Sequence, residues 1–218
     1  MSKSMQNLNG DIFCAVDVET TGDMVGHHEM VQICLLPLDS NMEPIKEVLP
    51  FYVDIRPERP DCADRDAMRV NKLDMYKLTT QGLDKYAAAS MLREWMYNKL
   101  QMPYNKGGYR RCKIVPVGHN YAGFDYGFVK AWLDECGESY NELFSFHMRD
   151  TMIQAAFVND RLAMRGRVVK FPKLGLKDLA RVLGVEYDLT RHHDALYDCS
   201  LTAQVFKKLN FVDIVGMF

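Results

Sequence analysis

The sequence has 218 residues, with 27 Lys and Arg against 29 Asp and Glu, a net charge of −2, and 48% hydrophobic residues. These values are ordinary for a globular chain and exclude the disordered and fibrous classes. No apolar run approaches the roughly 20 residues that cross a bilayer, and the polar start lacks a secretory signal, so we expect a cytoplasmic protein without membrane contact.

The same composition bounds the domain count and the compartment. We predict a single domain at residues 11–218, preceded by a flexible segment at residues 1–10. The six cysteines include no C-x-x-C pair, so buried reduced thiols are favoured over disulfides or zinc ligands. The small net charge leaves nucleic acid binding open, because a carboxylate-rich site subtracts from the charge of local basic stretches.

The first half of the chain is predicted to form three strands and a helix. The β-rich segments 12–18, 30–38 and 48–55 follow one another closely, which fits an antiparallel meander. The Pro-rich, charged stretch 56–66 is expected to break regular structure. Apolar residues at helical spacing then predict a helix over 83–100.

The second half alternates strand and helix. A short buried strand is predicted at 114–117, and helices are predicted at 124–136, 151–158, 176–183 and 195–209. This order of elements predicts an α/β domain in which helices cover the faces of a mixed sheet.

Two of these helices carry more specific expectations. Gly184 should end the helix before it in a left-handed conformation. The last helix repeats apolar residues at Leu196, Cys199, Ala203 and Phe206, and we expect this face to pack on the sheet.

The first acidic motif is VDVET. Asp17 and Glu19 are two residues apart on a predicted strand and therefore point to the same face. Two carboxylates on one face of a central strand repel each other, and a cation between them relieves the repulsion. The alternative is a solvated edge strand, which the apolar flanks argue against.

Two further motifs carry acids. Asp125 begins a helix after a buried strand, beside His119 and Asn120, where ligand-facing groups gather in α/β sheets; helix capping explains it equally well. His193 lies five residues before Asp198 at the start of the last helix. Each of these motifs alone is weak evidence for a functional site, since Asp and His are both common on solvated surfaces.

Together the motifs DVETTG, HNYAGFD and HDALYD resemble the three motifs of the DEDDh 3′–5′ exonucleases, with one extra residue between Asn120 and Phe124. The family includes the proofreading subunit of bacterial replicative DNA polymerase and ribonuclease T. The segments PFYVDIRPE, AMRVNKL, RDTMIQAA and LKDLARVLGV agree with this resemblance. It covers nearly the whole chain and implies a ribonuclease H-like fold with a mixed five-stranded sheet flanked by helices.

The resemblance implies that two Mg²⁺ or Mn²⁺ ions are held by Asp17, Glu19, Asp125 and Asp198, and that His193 is the general base. Hard oxygen ligands suit these cations, and a base with a pKa of about 6.5 suits a water nucleophile. His192 lies one residue too far for this role and is expected either to be solvated or to support the residues that bind the metal.

The resemblance also implies substrate contacts at Thr20, Thr21, Met24, His119, Asn120 and Phe124. Core packing competes as the role of Phe124. We expect Asp150 to cap a helix. Basic residues at 106–113 and 161–177 are expected to guide the nucleic acid backbone, although such runs are more often solvated surface.

The function that follows is metal-dependent hydrolysis of single-stranded DNA or RNA from the 3′ end, which releases nucleoside 5′-monophosphates. A catalytically silent nucleic-acid-binding module and a nuclease that cuts internally are the alternatives. A polymerase or a second copy of the chain is left undetermined as a partner.

Overall fold

The structure is a computed structural model that describes residues 10–100, 112–188, 191 and 194–212. The predicted flexible segment at 1–10 lies outside these residues except for Gly10. The strands are β1 (Ile12–Thr20), β2 (Met30–Pro37), β3 (Phe51–Asp54), β4 (Ile114–Gly118) and β5 (Arg149–Asp150). The helices are α1 (Arg65–Val70), α2 (Met75–Gln81), α3 (Lys85–Asn98), α4 (Asp125–Glu135), α5 (Tyr140–Leu143), α6 (Thr151–Ala163), α7 (Leu176–Val182) and α8 (Ala195–Asn210).

The strands form one five-stranded sheet in the order β3-β2-β1-β4-β5. The first three strands pair antiparallel, as the meander prediction required, while β4 and β5 join in parallel. The sheet is therefore mixed, as expected. β1 lies at its centre, which explains why residues 12–16 are apolar on both faces.

Helices cover both faces of the sheet. Val16 and Val18 belong to the core shared with α3 and α4, whereas Ala15 packs in a second core with Cys199 and Ala203 of α8. Because side chains alternate along a strand, Asp17 and Glu19 lie on the face covered by α8. The carboxyl end of β1 thus delivers two acids beside the start of that helix.

The predicted face of α8 needs one correction. Cys199, Ala203 and Phe206 pack on the sheet as expected, but Leu196 is 37% exposed, and Ala195 takes its place in the core. At the first turn of the helix the small side chain of Ala195 fits against the sheet, whereas the larger leucine turns toward solvent.

The segment between β3 and α3 is more regular than predicted. The stretch 56–66 was expected to lack regular structure, yet it contains a 3₁₀ helix at Pro60–Cys62 and the start of α1. Asp64 caps α1 by accepting hydrogen bonds from the backbone N–H groups of Asp66 and Ala67. Helices this short hold less than two turns, so hydrophobic periodicity gives no signal, and the capping residue is the cue that was missed.

The predicted left-handed end of α7 is confirmed. Gly184 has φ of 65° after α7, the left-handed conformation expected at a helix end. The six cysteines are free thiols, and three of them are buried. Among the described residues, no helix is both long enough and apolar enough to cross a membrane.

Candidate active site

Four carboxylates line one cavity at the carboxyl end of β1. Asp17 and Glu19 come from that strand, Asp125 is the first residue of α4, and Asp198 lies in the first turn of α8. The cavity has a volume of about 440 Å³. Glu19, Asp125 and Asp198 are buried. The fold thus brings together acids from three distant parts of the chain.

Packing on both faces of the sheet positions these acids. The backbone N–H of Val18 donates to the Asp125 carboxylate, which ties the start of α4 to β1. On the other face, the Cys199 thiol lies 3.5 Å from the carbonyl oxygens of both Ala15 and Cys34. This close approach of α8 to the sheet places Asp198 beside the two acids of β1.

The acids of this cavity are costly to ionise. Burial raises the pKa of Glu19 to about 9, with further contributions from the charges of Asp198 and Asp125. Burial also raises the pKa of Asp125 to about 7, against the opposing effect of its backbone hydrogen bonds. The pKa of Asp17 lies well above its ordinary range because of burial and the charges of its neighbours. A nearby positive charge would therefore be strongly favoured.

The donor set fits hard divalent cations in its chemistry, because carboxylate oxygens are the ligands that Mg²⁺ and Mn²⁺ prefer. In the part of the chain that the structure describes, no three or more His, Cys, Asp or Glu side chains form a ready-made metal cluster. The four carboxylates share a cavity without already converging on one point. Metal binding would therefore require them to turn toward a common centre.

Asp150 supports the loop that leads to Asp125. It caps α6 by accepting from the N–H groups of Met152 and Ile153, as predicted. The same carboxylate also accepts from the N–H groups of Asn120 and Ala122 at 3.2 Å each. Asn120 has φ of 60°, a conformation that costs a non-glycine residue energy. Asp150 thus holds a strained loop beside the cavity, a role that capping alone did not indicate.

His119 lies on the same loop and lines the cavity. Its Nδ1 is 2.8 Å from the hydroxyl oxygen of Thr151, and that hydroxyl also donates to the Gly118 carbonyl oxygen. Because the one hydrogen of the Thr151 hydroxyl is used in that bond, His119 Nδ1 can donate a hydrogen bond to the hydroxyl oxygen but does not accept one from it. Burial lowers the pKa of His119, opposed by the charge of Asp150.

The other predicted contacts divide into two groups. Thr20, Asn120 and Phe124 line the cavity, whereas Thr21 and Met24 do not. The Thr21 hydroxyl accepts from the N–H of Glu29, so it serves the fold, and the Met24 side chain is 55% exposed outside the cavity wall. The predicted base His193 lies outside the described residues.

Several lining residues were not predicted as site residues. Asn71 follows α1 and donates to the Thr20 carbonyl oxygen, and Met152 comes from the first turn of α6. The segment that starts α7 adds Gly175, Leu176, Lys177 and Asp178. Their segments did match the family resemblance, and Lys177 was expected to contact the nucleic acid backbone. The family resemblance therefore pointed to these segments but did not indicate which of their side chains face the cavity.

Comparison with known proteins agrees with this geometry. Residues 111–206 match the RNase_T family model, described as an exonuclease. Ribonuclease T of Wigglesworthia glossinidia brevipalpis is 27% identical over 214 residues, which cover 94% of this chain and 89% of that protein. The 3′-5′ DNA exonuclease Cap18 of Escherichia coli is 25% identical over 203 residues, which cover 92% of each chain.

Solved structures share the fold. E. coli exonuclease I in complex with a dT13 oligonucleotide superposes with a TM-score of 0.69 at 16% identity. The match covers 92% of this chain but 41% of that one, so the chain spans about two fifths of exonuclease I. A zinc-bound complex of the same enzyme with single-stranded DNA has the same TM-score. The predicted ribonuclease H-like fold is confirmed.

Proposed function

We propose that this chain hydrolyses single-stranded DNA or RNA stepwise from the 3′ end and releases nucleoside 5′-monophosphates, which its match to an exonuclease family model over residues 111–206 supports. The observation that carries the proposal is the meeting of four carboxylates in one cavity at the carboxyl end of β1. The named relatives, a ribonuclease T and a 3′-5′ DNA exonuclease, support the direction of attack.

Asp17, Glu19, Asp125 and Asp198 would hold two Mg²⁺ or Mn²⁺ ions. Such ions, when bound, stabilise the charge that develops on the phosphate and lower the pKa of the attacking water. The raised pKa values of Asp17, Glu19 and Asp125 support this assignment, because burial and neighbouring negative charges raise them and a bound cation would offset both effects.

Other side chains of the protein transfer the proton and bind the substrate. His193, next to the Asp194 that caps α8, accepts the proton of the attacking water. Phe124, Met152 and Leu176 form apolar parts of the cavity wall and suit the faces of nucleobases. Lys177 lies on the same wall and suits a phosphate.

The test uses an oligonucleotide labelled at its 5′ end. With Mg²⁺ or Mn²⁺ we expect a ladder that shortens stepwise from the 3′ end, and with a chelator we expect none. A circular single strand should resist, since it has no end. Cleavage of the circle would overturn the exonuclease direction, and tight binding without any cleavage would indicate a binding module instead.

The assignment of the base is checked by His193→Ala, with His192→Ala as the matched control. A general base contributes about 10² to 10⁴ in rate, so we expect a loss in that range for His193→Ala and little change for His192→Ala. The acidic limb of the pH–rate profile should disappear in the first variant. Equal losses in both variants would contradict the assignment.

A further inference from the structure

The outward face of α6 carries apolar side chains that the fold does not bury. The inner face of α6 packs through Ala155 and Val158 into the core shared with α7 and α8. On the other side, Ile153 and Phe157 lie one turn apart and are 60% and 56% exposed, and Met164, just beyond the helix, is 87% exposed. A phenylalanine this exposed adds little to stability, so core packing does not account for it.

The chain around and after the end of α6 is strongly basic. Residues 161–173 contain five basic and no acidic residues in the sequence RLAMRGRVVKFPK. The Arg161 guanidinium lies 5.7 Å from the centre of the Phe157 ring. An aromatic ring and an arginine are thus paired on the exposed face, and Asp160 is the one acid in residues 153–173 of the sequence.

The basic segment is held against α6. The Asn159 side chain donates to the Phe171 carbonyl oxygen at 2.7 Å and accepts from the Phe171 N–H at 2.9 Å. The Phe171 ring is buried in the core, and the N–H of Arg167 donates to the Leu162 carbonyl oxygen. These contacts hold the backbone of the basic segment against α6 at Arg167 and at Phe171.

Both ends of this region reach the catalytic cavity. Met152 in the first turn of α6 lines the cavity, and so do residues 175–178 after the basic segment. At the rise of an α-helix, Phe157 lies about 7.5 Å along the axis from Met152. An extended ligand leaving the cavity along α6 would meet Ile153, then Phe157, then Arg161.

We propose that the surface formed by Ile153, Phe157, Arg161 and the basic segment 164–173 binds the 5′ portion of a single-stranded substrate while its 3′ end occupies the cavity. The inference rests on the proposed function. Stacking on an aromatic ring tolerates any base, and arginine and lysine pair with phosphates whatever the sequence. A single strand fits because its bases are free to stack, whereas those of a duplex are paired with each other.

The experiment compares a trinucleotide with a long single-stranded oligomer. Phe157→Ala should raise KM for the long oligomer about tenfold, the effect of losing one stacked base, and leave kcat/KM for the trinucleotide unchanged. Phe157→Tyr, which keeps the ring, should restore the long-oligomer KM. Phe211→Ala is the matched control, because Phe211 is also exposed and follows Lys207 and Lys208 at the far end of α8.

Charge is measured separately. Arg165→Ala and Arg167→Ala should each reduce the slope of log affinity against log salt by about 0.7 for the long oligomer. The surface assignment is overturned if Phe157→Ala and Phe211→Ala raise the long-oligomer KM equally, or if the salt slope is unchanged in the arginine variants. If the wild-type chain cleaves neither substrate, the proposed function fails; anisotropy of a labelled long oligomer then still measures the effect of Phe157→Ala on binding.

Discussion

The two ends of the sheet both carry a cavity, and the two cavities differ in charge. The larger, of about 630 Å³, lies at the amino end of β1, where Lys207 pairs with Glu43 and the Arg149 guanidinium lies over the ring of Phe13. The smaller cavity, at the carboxyl end, holds four carboxylates and the strained Asn120. Volume therefore does not distinguish the candidate active site from the other cavity. The cluster of buried carboxylates does, because a fold keeps such a cost where a ligand compensates for it. Backbone strain does not distinguish the two cavities, since Met42 beside the larger one has φ of 61° and Asn120 beside the smaller one has φ of 60°.

The greatest loss of exonuclease activity should follow the removal of a carboxylate from the cavity at the carboxyl end of β1. Asp17→Asn keeps the shape of the side chain but removes one proposed metal ligand. Even residues that only support metal ligands are worth about 10- to 100-fold, so we expect exonuclease activity to fall more than a hundredfold. The measurement is the rate of mononucleotide release from a single-stranded oligomer with saturating Mg²⁺.

The matched change at the other end is Glu43→Gln. It also converts a carboxylate to an amide beside a cavity, but it breaks only the pair with Lys207. Exposed pairs of this kind contribute about 0 to 1 kcal/mol, so activity should stay near that of the wild type. Comparable losses in the two variants would remove the distinction between the two cavities.

An intermediate effect is expected at Asp150. In Asp150→Asn the two hydrogen bonds to Asn120 and Ala122 weaken, so the loop before Asp125 loses its support. We expect kcat to fall about tenfold with a small change in KM, together with a loss of about 1 kcal/mol in the free energy of unfolding.

The control for Asp150 is Asp84→Asn at the start of α3. Asp84 caps its helix through the N–H groups of Tyr86 and Ala87 and, among the residues that the structure describes, makes no hydrogen bond to the loop before Asp125. It should therefore lose similar stability with kcat unchanged. A parallel fall of kcat in both variants would mean that Asp150 acts through stability alone.

A smaller change is expected in the free energy of unfolding, which should depend on pH because of Glu19 and Asp125. The folded pKa values of about 9 for Glu19 and about 7 for Asp125 lie above the unfolded values of about 4.3 and 3.9. From about pH 4 upward the folded chain thus holds more protons than the unfolded chain, and its free energy of unfolding falls as pH rises, until pH 7 for Asp125 and pH 9 for Glu19.

Without divalent cations, the melting temperature should therefore fall between pH 5 and pH 8 on account of these two groups. Glu19→Gln removes one of them, and at pH 8 a gain of about 1 kcal/mol would raise the melting temperature by about 2 to 4 °C. Mg²⁺ should stabilise the wild type more than this variant. A pH slope that is the same in Glu19→Gln and Glu43→Gln would contradict the assigned pKa shifts.

A structural feature could be predicted from the sequence where it depends on interactions between residues close together in the chain. The alternation in VDVET places Asp17 and Glu19 on one face, and the Asp150 cap and the end of α7 at Gly184 follow from a few neighbouring residues. These features were predicted because strand periodicity and capping act locally. The short helices α1 and α2 were not, since they offer too few turns for a periodic pattern.

Local patterns and motifs thus predicted the α/β class, the antiparallel meander and the four acids that line one cavity. The other side chains that face the cavity are known only from the packing of the helices on the sheet. Asn71, Met152 and Lys177 reach it, while Met24 stays outside its wall. These positions meet only when α1, α6 and α7 pack around the sheet. A short stretch of sequence does not determine how its helix will be oriented in that packing.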